Sequence, residues 1–472
     1  MSGERSLDKL LPLIVLEATR VADAERGSLF LVDRERNELW TKVAQGAATE
    51  IRMPADRGIA GAVVSSGEVV NLADAYADPR FNGTFDLATG YRTRSLLSVP
   101  MRDTAGAVVG VLQALNKRAG QFNEEDEELL LALGAQAAGA VENALLHADI
   151  HRLFEGFVSA SVAAIESRDP STAGHSGRVA ALTLELARTL PKVHNGPYAR
   201  TQFTEPEMQE IRYASLLHDF GKVGVREHVL TKADKLFPHE QENLKLRFGL
   251  ARKDRELQSY RRRLAALKLR GESARDAIDA EENQRLLDAY RELDDIWSFI
   301  LTCNRPTVLP AGGFERLNDI SNLTVEGADG QPFPLLSAPE LEQLSIRKGS
   351  LSDSERREIE SHVAHTFRFL SLIPWTSTLR RVPEIAYAHH ERADGSGYPR
   401  KMGHAAIPLQ SKLMAICDVY DALTAADRPY KKAIPHPRAL DILHAEAKDG
   451  KLDADLLRIF IEAEVSLRAL KP

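Results

Sequence analysis

The chain has 472 residues, 43% hydrophobic and 27% charged, a balance that excludes a mostly disordered protein and leaves room for two or three domains. Its 61 basic and 68 acidic side chains give a net charge of −7, which argues against a protein that grips a nucleic acid polymer by its phosphates. Cys303 and Cys417 stand 114 positions apart, making neither a disulfide framework nor a CxxC metal knuckle, and read as inert thiols in a reducing compartment. The N-terminal stretch has only a seven-residue apolar run and no cleavage pattern, so the expectation is a cytoplasmic protein with no membrane segment there.

Leu10, Leu11, Ile14, Val15 and Ala18 share one face at three and four spacing and predict a helix over 8–25. Strands are expected at 28–34 and 38–46 around a turn at 35–37, a short helix at 58–67, and a second strand pair at 94–103 and 107–117. This order describes an α+β domain with an antiparallel sheet flanked by helices. A long helix begins near Asn123 and runs to about Ser167. Its Leu130, Leu133, Ala137, Ala140 and Ala144 suit pairing with a second copy in a homodimer, or packing on their own domain. From there to the end the chain reads as all-α. Residues 239–300 carry dense mixed charge with a break at Gly271 and predict an antiparallel helix pair; residues 304–349, rich in Pro and Gly, predict an irregular connection.

Five histidines and two aspartates stand in segments suited to divalent metals: His175, His218, His362, His389, His390, Asp219 and Asp418. In LLHDFGKVGV, His218 and Asp219 stand where a helix ends, and Gly221 and Gly224 let the backbone turn closely. Asp219 has two oxygens and can bridge two metals, whereas His218 can hold one. Lys222 could meet a phosphate oxygen as a point charge. In AYAHHERADGSGYPR, the adjacent His389 and His390 would diverge on a helix and suit two metals, or a metal and a phosphate. Asp418 sits among Ile416, Val419 and Leu423, where a carboxylate is costly unless paired or bound to a cation. Arg428, Lys431 and Lys432 follow as a positive rim.

HDFGK followed by HHERADGSGYP and DVYDALTAADRPY resembles the HD-GYP branch of the HD phosphohydrolases, over about 160–232 and 347–440. The resemblance implies an all-helical domain over 155–472 that hydrolyses cyclic di-GMP to pGpG, with the end product, pGpG or GMP, left open. It implies the metal ligands His175, His218, Asp219, His362, His389, His390 and Asp418, with Asp219 and Lys222 catalytic. It also implies substrate contacts from Lys222, Arg392, Tyr398, Arg428 and Lys431. His362 is preferred to His365 because Thr366 and Leu370 then keep the family spacing. Family members with three metals carry a glutamate shortly before the first ligand histidine, for which the position four before His175 is the candidate. Ser171 stands there, so two ions, iron or manganese, are favoured over three, with Asp169 nearby. Asp219 and His362 are 143 positions apart, far more than the family's short segment, so about 233–346 reads as an insertion: a lid, a partner surface, or a solvated hairpin aiding dimerisation. The other histidines, His147, His151, His194, His228, His239, His404, His436 and His444, read as non-ligands.

The N-terminal order, with NKRAGQFNEEDE at 116–127, resembles a GAF domain over about 8–147 of a 1–147 sensor, joined by a connecting or dimerisation helix at 126–165. Lys117 and Asp126 would pair over a buried Phe122. The resemblance implies cAMP or cGMP as ligand, in a pocket drawn from 58–66 and 94–100; another small molecule, or dimerisation alone, stays open. The combined expectation is a sensory phosphodiesterase. Its alternatives are a non-hydrolytic cyclic dinucleotide receptor or scaffold, for example for a GGDEF-type partner, and a phosphodiesterase for a mixed dinucleotide such as cyclic GMP-AMP.

Overall fold

A computed structural model describes residues 6–44, 51–169, 173–327, 330–425 and 433–469. Two compact units divide the chain, residues 1–157 and 158–472.

The first unit contains α1 (Leu7–Val21), β1 (Ala24–Asp33), β2 (Glu38–Ala44), β3 (Ile51–Pro54), α2 (Gly58–Ser66), β4 (Val70–Leu72), α3 (Thr84–Thr89), β5 (Leu96–Arg102) and β6 (Val108–Lys117). The strands form one antiparallel sheet in the order β3-β2-β1-β6-β5-β4. Alternation along β1 sends Leu29 and Leu31 to one face and Phe30 to the other. The first face carries α1 and the start of α4 (Glu124–Arg168); the second carries α2 through Ala60 and Val63. One expectation is corrected: the first helix stops at Val21, because the chain must turn and join β1 at Ala24. Of the two readings of the α4 face, pairing with a second copy or packing on its own domain, the second holds for Leu130, Leu133, Ala137 and Ala144, which are buried in the core of their own unit with Ala140 packed against it. By length and composition alone α4 could cross a bilayer, but this buried face accounts for part of its apolar character.

In the second unit the helices are α5 (His175–Thr189), α6 (Glu205–Leu217), α7 (Glu227–Leu230), α8 (Pro238–Arg270), α9 (Arg275–Asn304), α10 (Gly313–Ser321), α11 (Ala338–Leu344), α12 (Asp353–Glu360), α13 (His362–Leu370), α14 (Val382–Tyr387), α15 (Leu409–Thr424), α16 (His436–Lys448), α17 (Ala454–Glu462) and α18 (Val465–Ala469). Helix α5 packs on α6 and α15, and α14 packs on α6 and α13, so the candidate ligands converge from five places in the chain. α8 and α9 are the expected charged pair, broken at Gly271. The stretch after them is more ordered than its Pro and Gly content suggested. It holds α10, a hairpin of β7 (Thr324–Glu326) and β8 (Pro332–Pro334), and α11. Leu244, Phe248, Ile296, Ile300, Leu317, Leu335 and Leu344 give this excursion a core of its own. Its ends meet: Ser350 Oγ donates to the Lys232 carbonyl at 3.1 Å, and Lys232 Nζ lies 2.7 Å from Glu355.

Candidate metal centre

His175 opens α5, and His218 follows the last residue of α6. Asp219 precedes a 3-10 turn over Phe220–Gly224, His362 opens α13, and Asp418 lies within α15. His389 and His390 come after α14 has ended, in a turn, and their rings are 3.9 Å apart. The expectation that they diverge on a helix is thereby corrected. All seven residues come together, and six of them are buried. Their donor atoms form three sets, each within 4.8 Å: His175, His218 and Asp219; His218, His389 and Asp418; and His362, His389 and His390.

Asp219 spans the cluster. Its Oδ1 lies 3.3 Å from His362 Nε2, while Oδ2 lies 3.5 Å from His218 Nε2 and 3.9 Å from His175 Nε2. Asp418 Oδ1 stands 3.2 Å from His175 Nε2. The imidazoles are oriented from behind. Nδ1 of His218, His362 and His389 faces the carbonyls of Ser215, Ile359 and Ala386 at 2.8, 2.5 and 2.6 Å. Each ring thus donates outward and turns Nε2 inward. Those three Nε2 atoms are buried and have no hydrogen-bond partner. A buried acceptor left unpaired is costly, and lone pairs converging beside two carboxylates are what a divalent cation would satisfy. The donor set of imidazole and carboxylate therefore fits the implied metals.

The electrostatics of three of the rings support the same reading. Burial pushes the His390 imidazole down to about 3 and also lowers His218 and His389, so these rings stay neutral and able to ligate. At His175 burial opposes the charge, but hydrogen bonds to Asp418 and Asp421 outweigh it and raise the ring to about 9. Burial also opposes ionisation of Asp219 and Asp418, yet Lys222 next to the first and His175 next to the second hold both carboxyls well below the usual range.

Lys222 Nζ is 2.8 Å from Asp219 Oδ2 and 3.5 Å from Asp169. Tyr398 packs its ring on His390, with 4.8 Å between centroids. Arg392 pairs with Glu446 at 2.7 Å. Arg428, Lys431, Lys432 and Ser171 lie outside the described residues. His365 is exposed and stays out of the cluster, as do the eight other histidines; seven of those eight are exposed. His404 instead pairs with Asp453, and His436 with Tyr420.

Three residues outside the expected ligands and substrate contacts shape the site. Asp421, one turn from Asp418 on α15, meets His175 Nδ1 at 2.7 Å and accepts two hydrogen bonds from Arg178. Their three-residue spacing on one helix is the signal that could have found it. Buried Glu391 accepts hydrogen bonds from the backbone N–H groups of Arg400 and Met402 and so closes the loop after His390. Thr366 Oγ1 accepts from Gly221 N–H at 2.8 Å and donates to the His218 carbonyl at 2.9 Å, tying α13 to the His218–Asp219 turn. A Cβ at Gly221 would lie 1.9 Å from the His362 carbonyl oxygen, so only glycine permits that approach.

In the first unit, Lys117 and Asp126 form an ion pair near the buried Phe122. A separate cavity of about 400 Å³ is lined by Arg26, Arg52, Arg57, Phe81, Thr93 and Gln113, among others. Gly58, Ile59, Ala60 and Leu96 are the part of its wall that falls within the expected 58–66 and 94–100.

Residues 6–141 match the family model described as GAF domain, and residues 172–292 and 333–456 match two models each described as HD domain. The chain is similar to the probable 3′,5′-cyclic phosphodiesterase pde-5 of Caenorhabditis elegans, 34% identical over 160 residues that make up 31% of this chain and 22% of that protein. It is similar to the dual 3′,5′-cyclic-AMP and -GMP phosphodiesterase 11A of Takifugu rubripes, 35% identical over 162 residues, 31% of this chain and 18% of that one. The chain thus spans about a fifth of the length of these curated relatives. Among solved structures it is similar to the GAF domain of a phosphoenolpyruvate-protein phosphotransferase (ptsP) from Coxiella burnetii, at 24% identity and a TM-score of 0.29, covering 31% of this chain and 89% of that one. The chain therefore carries an N-terminal GAF domain and a helical HD domain, joined by α4.

Proposed function

We propose that the chain is a metal-dependent phosphodiesterase that opens cyclic di-GMP to pGpG, and that it works in the cytoplasm as a homodimer. The observation that carries this reading is Asp219, whose two oxygens face different histidines inside a ring of buried, unpartnered Nε2 atoms. His175, His218, Asp219, His362, His389, His390 and Asp418 would hold two divalent ions, iron or manganese. Bound there, they would supply a hydroxide nucleophile near neutral pH. The chain's own part is orientation and charge. The three backbone carbonyls fix the imidazoles, Lys222 neutralises charge growing on the phosphate oxygens, and Tyr398 offers a hydroxyl and a ring at the His390 edge. Arg392, Arg428 and Lys431 are the remaining substrate contacts of this reading. The motifs around HHERADGSGYP favour a cyclic dinucleotide. The names of the curated relatives favour a second reading, a 3′,5′-cyclic mononucleotide.

The GAF cavity would bind a cyclic nucleotide, with Arg26, Arg52 and Arg57 meeting the phosphate. Metal-replete chain incubated separately with cyclic di-GMP, cyclic GMP-AMP, cAMP and cGMP, with products separated by chromatography, tests the substrate. Linear pGpG from the first is expected. Turnover of a mononucleotide alone would move the assignment to the second reading, and tight binding without turnover would make the domain a receptor. A raised melting temperature of the full chain with cAMP or cGMP, lost on Arg57→Ala, tests the cavity.

A further inference from the structure

Helix α8 buries one face and exposes another that is also apolar. Leu244, Phe248 and Ala251 enter the core of the excursion. On the opposite side Leu246, Leu250, Leu257, Tyr260 and Leu264 are 66, 48, 47, 59 and 61% exposed. Their spacing of four, seven, three and four is the a/d rhythm of a coiled-coil seam, with Lys253 filling the one missing position. At 1.5 Å per residue the stripe runs for about 27 Å. An exposed apolar stripe of this length, interrupted at Lys253, is unusual on a solitary soluble chain.

We infer that this stripe is the seam at which a second copy of the chain docks, helix against helix and antiparallel. The inference rests on the homodimer reading and says which face makes the dimer. The pattern is symmetric about residue 255. In antiparallel register Leu246 meets Leu264 of the second copy, Leu250 meets its Tyr260, and Lys253 meets its Leu257 beside Glu256. Lys253 already reaches Glu256 within the chain at 2.9 Å, so the carboxylate stands where the central lysine needs it. A parallel pairing would set Lys253 against Lys253 in the seam, which like charge disfavours. A lipid surface fits less well: the stripe is narrow, and Glu256 stands on its rim.

The test uses the full chain. Light scattering should give the mass of a dimer, and Leu250→Asp/Leu257→Asp, at two exposed positions, should give a monomer. With Leu250→Cys/Tyr260→Cys, mild oxidation should yield a covalent dimer, whereas Leu250→Cys alone should not; the native Cys303 and Cys417 are buried and do not interfere. A dimer that survives the aspartates, or cross-links through Leu250→Cys alone, overturns this seam while leaving the homodimer reading intact. A native chain monomeric at tens of micromolar overturns both. Binding to anionic phospholipid vesicles that the aspartates abolish would overturn the seam in favour of a lipid surface.

Discussion

His175 Nδ1 lies 2.7 Å from Asp421 Oδ2, a carboxylate that Arg178 grips through Nε and Nη2 at 2.7 and 3.1 Å. His218, His362 and His389 lean on backbone carbonyls instead. A carboxylate behind an imidazole makes it a stronger donor and fixes its tautomer. Asp421→Asn should therefore weaken metal retention about 10- to 100-fold while leaving helix content unchanged. Metal content after graded chelator dialysis, beside circular dichroism, checks this. Undiminished retention would leave Asp421 a packing role only.

Lys222 Nζ touches Asp219 at 2.8 Å. On the proposed phosphodiesterase reading, Lys222→Ala should lower kcat about 100-fold with metal content preserved, because it would remove charge stabilisation from the phosphate oxygens. Asp219→Ala should lose both turnover and metal. Elemental analysis together with product chromatography separates the two effects; equal metal loss in both variants would contradict the separate roles.

Stability of the metal-free protein should peak near pH 6.5. Unfolded histidines titrate there. As pH falls from 6.5 toward 3, the unfolded chain takes up protons that folded His218, His389 and His390 refuse, so stability declines. As pH rises from 6.5 toward 9, the unfolded chain gives up a proton that folded His175 retains, and the stability it contributes is lost. Melting temperatures across this range check both slopes. A temperature still climbing between pH 7 and 9 would contradict the His175 assignment.

Gly221→Ala should destabilise the HD domain by about 3 kcal/mol, since the clash is with backbone atoms of His362 and Thr366 rather than with a flexible side chain. Thermal melts read the loss directly, and a fall in metal content should accompany it because His362 moves. Native-like melting would show that α13 can shift away.

The sequence made the central strands legible because alternation such as Leu29, Phe30, Leu31 declares two faces at once. Short edge elements, β3, β4 and α3, carry too few residues to show a period. The α4 seam illustrates a deeper limit. Spacing says that Leu130, Leu133 and Ala137 share a face, but not whether the surface that covers it belongs to the same chain. At the candidate metal centre the residues that could ligate stood in recognisable motifs, and His362 rather than His365 enters the cluster. The roles of Asp421, Glu391 and Thr366 were harder to see, because the groups they contact are distant or undistinguished in the sequence and only folding brings them near.

The contact of Ser350 with Lys232 has a consequence for assembly of the centre. His218 and His362 are far apart along the polypeptide, and an unstructured loop of that length would tax their meeting through closure entropy. Because the intervening segment folds on its own core and is stapled where it departs and returns, the bundle experiences it as a short tether. Such a cassette could be lengthened, trimmed or exchanged with little effect on the cage of ligands.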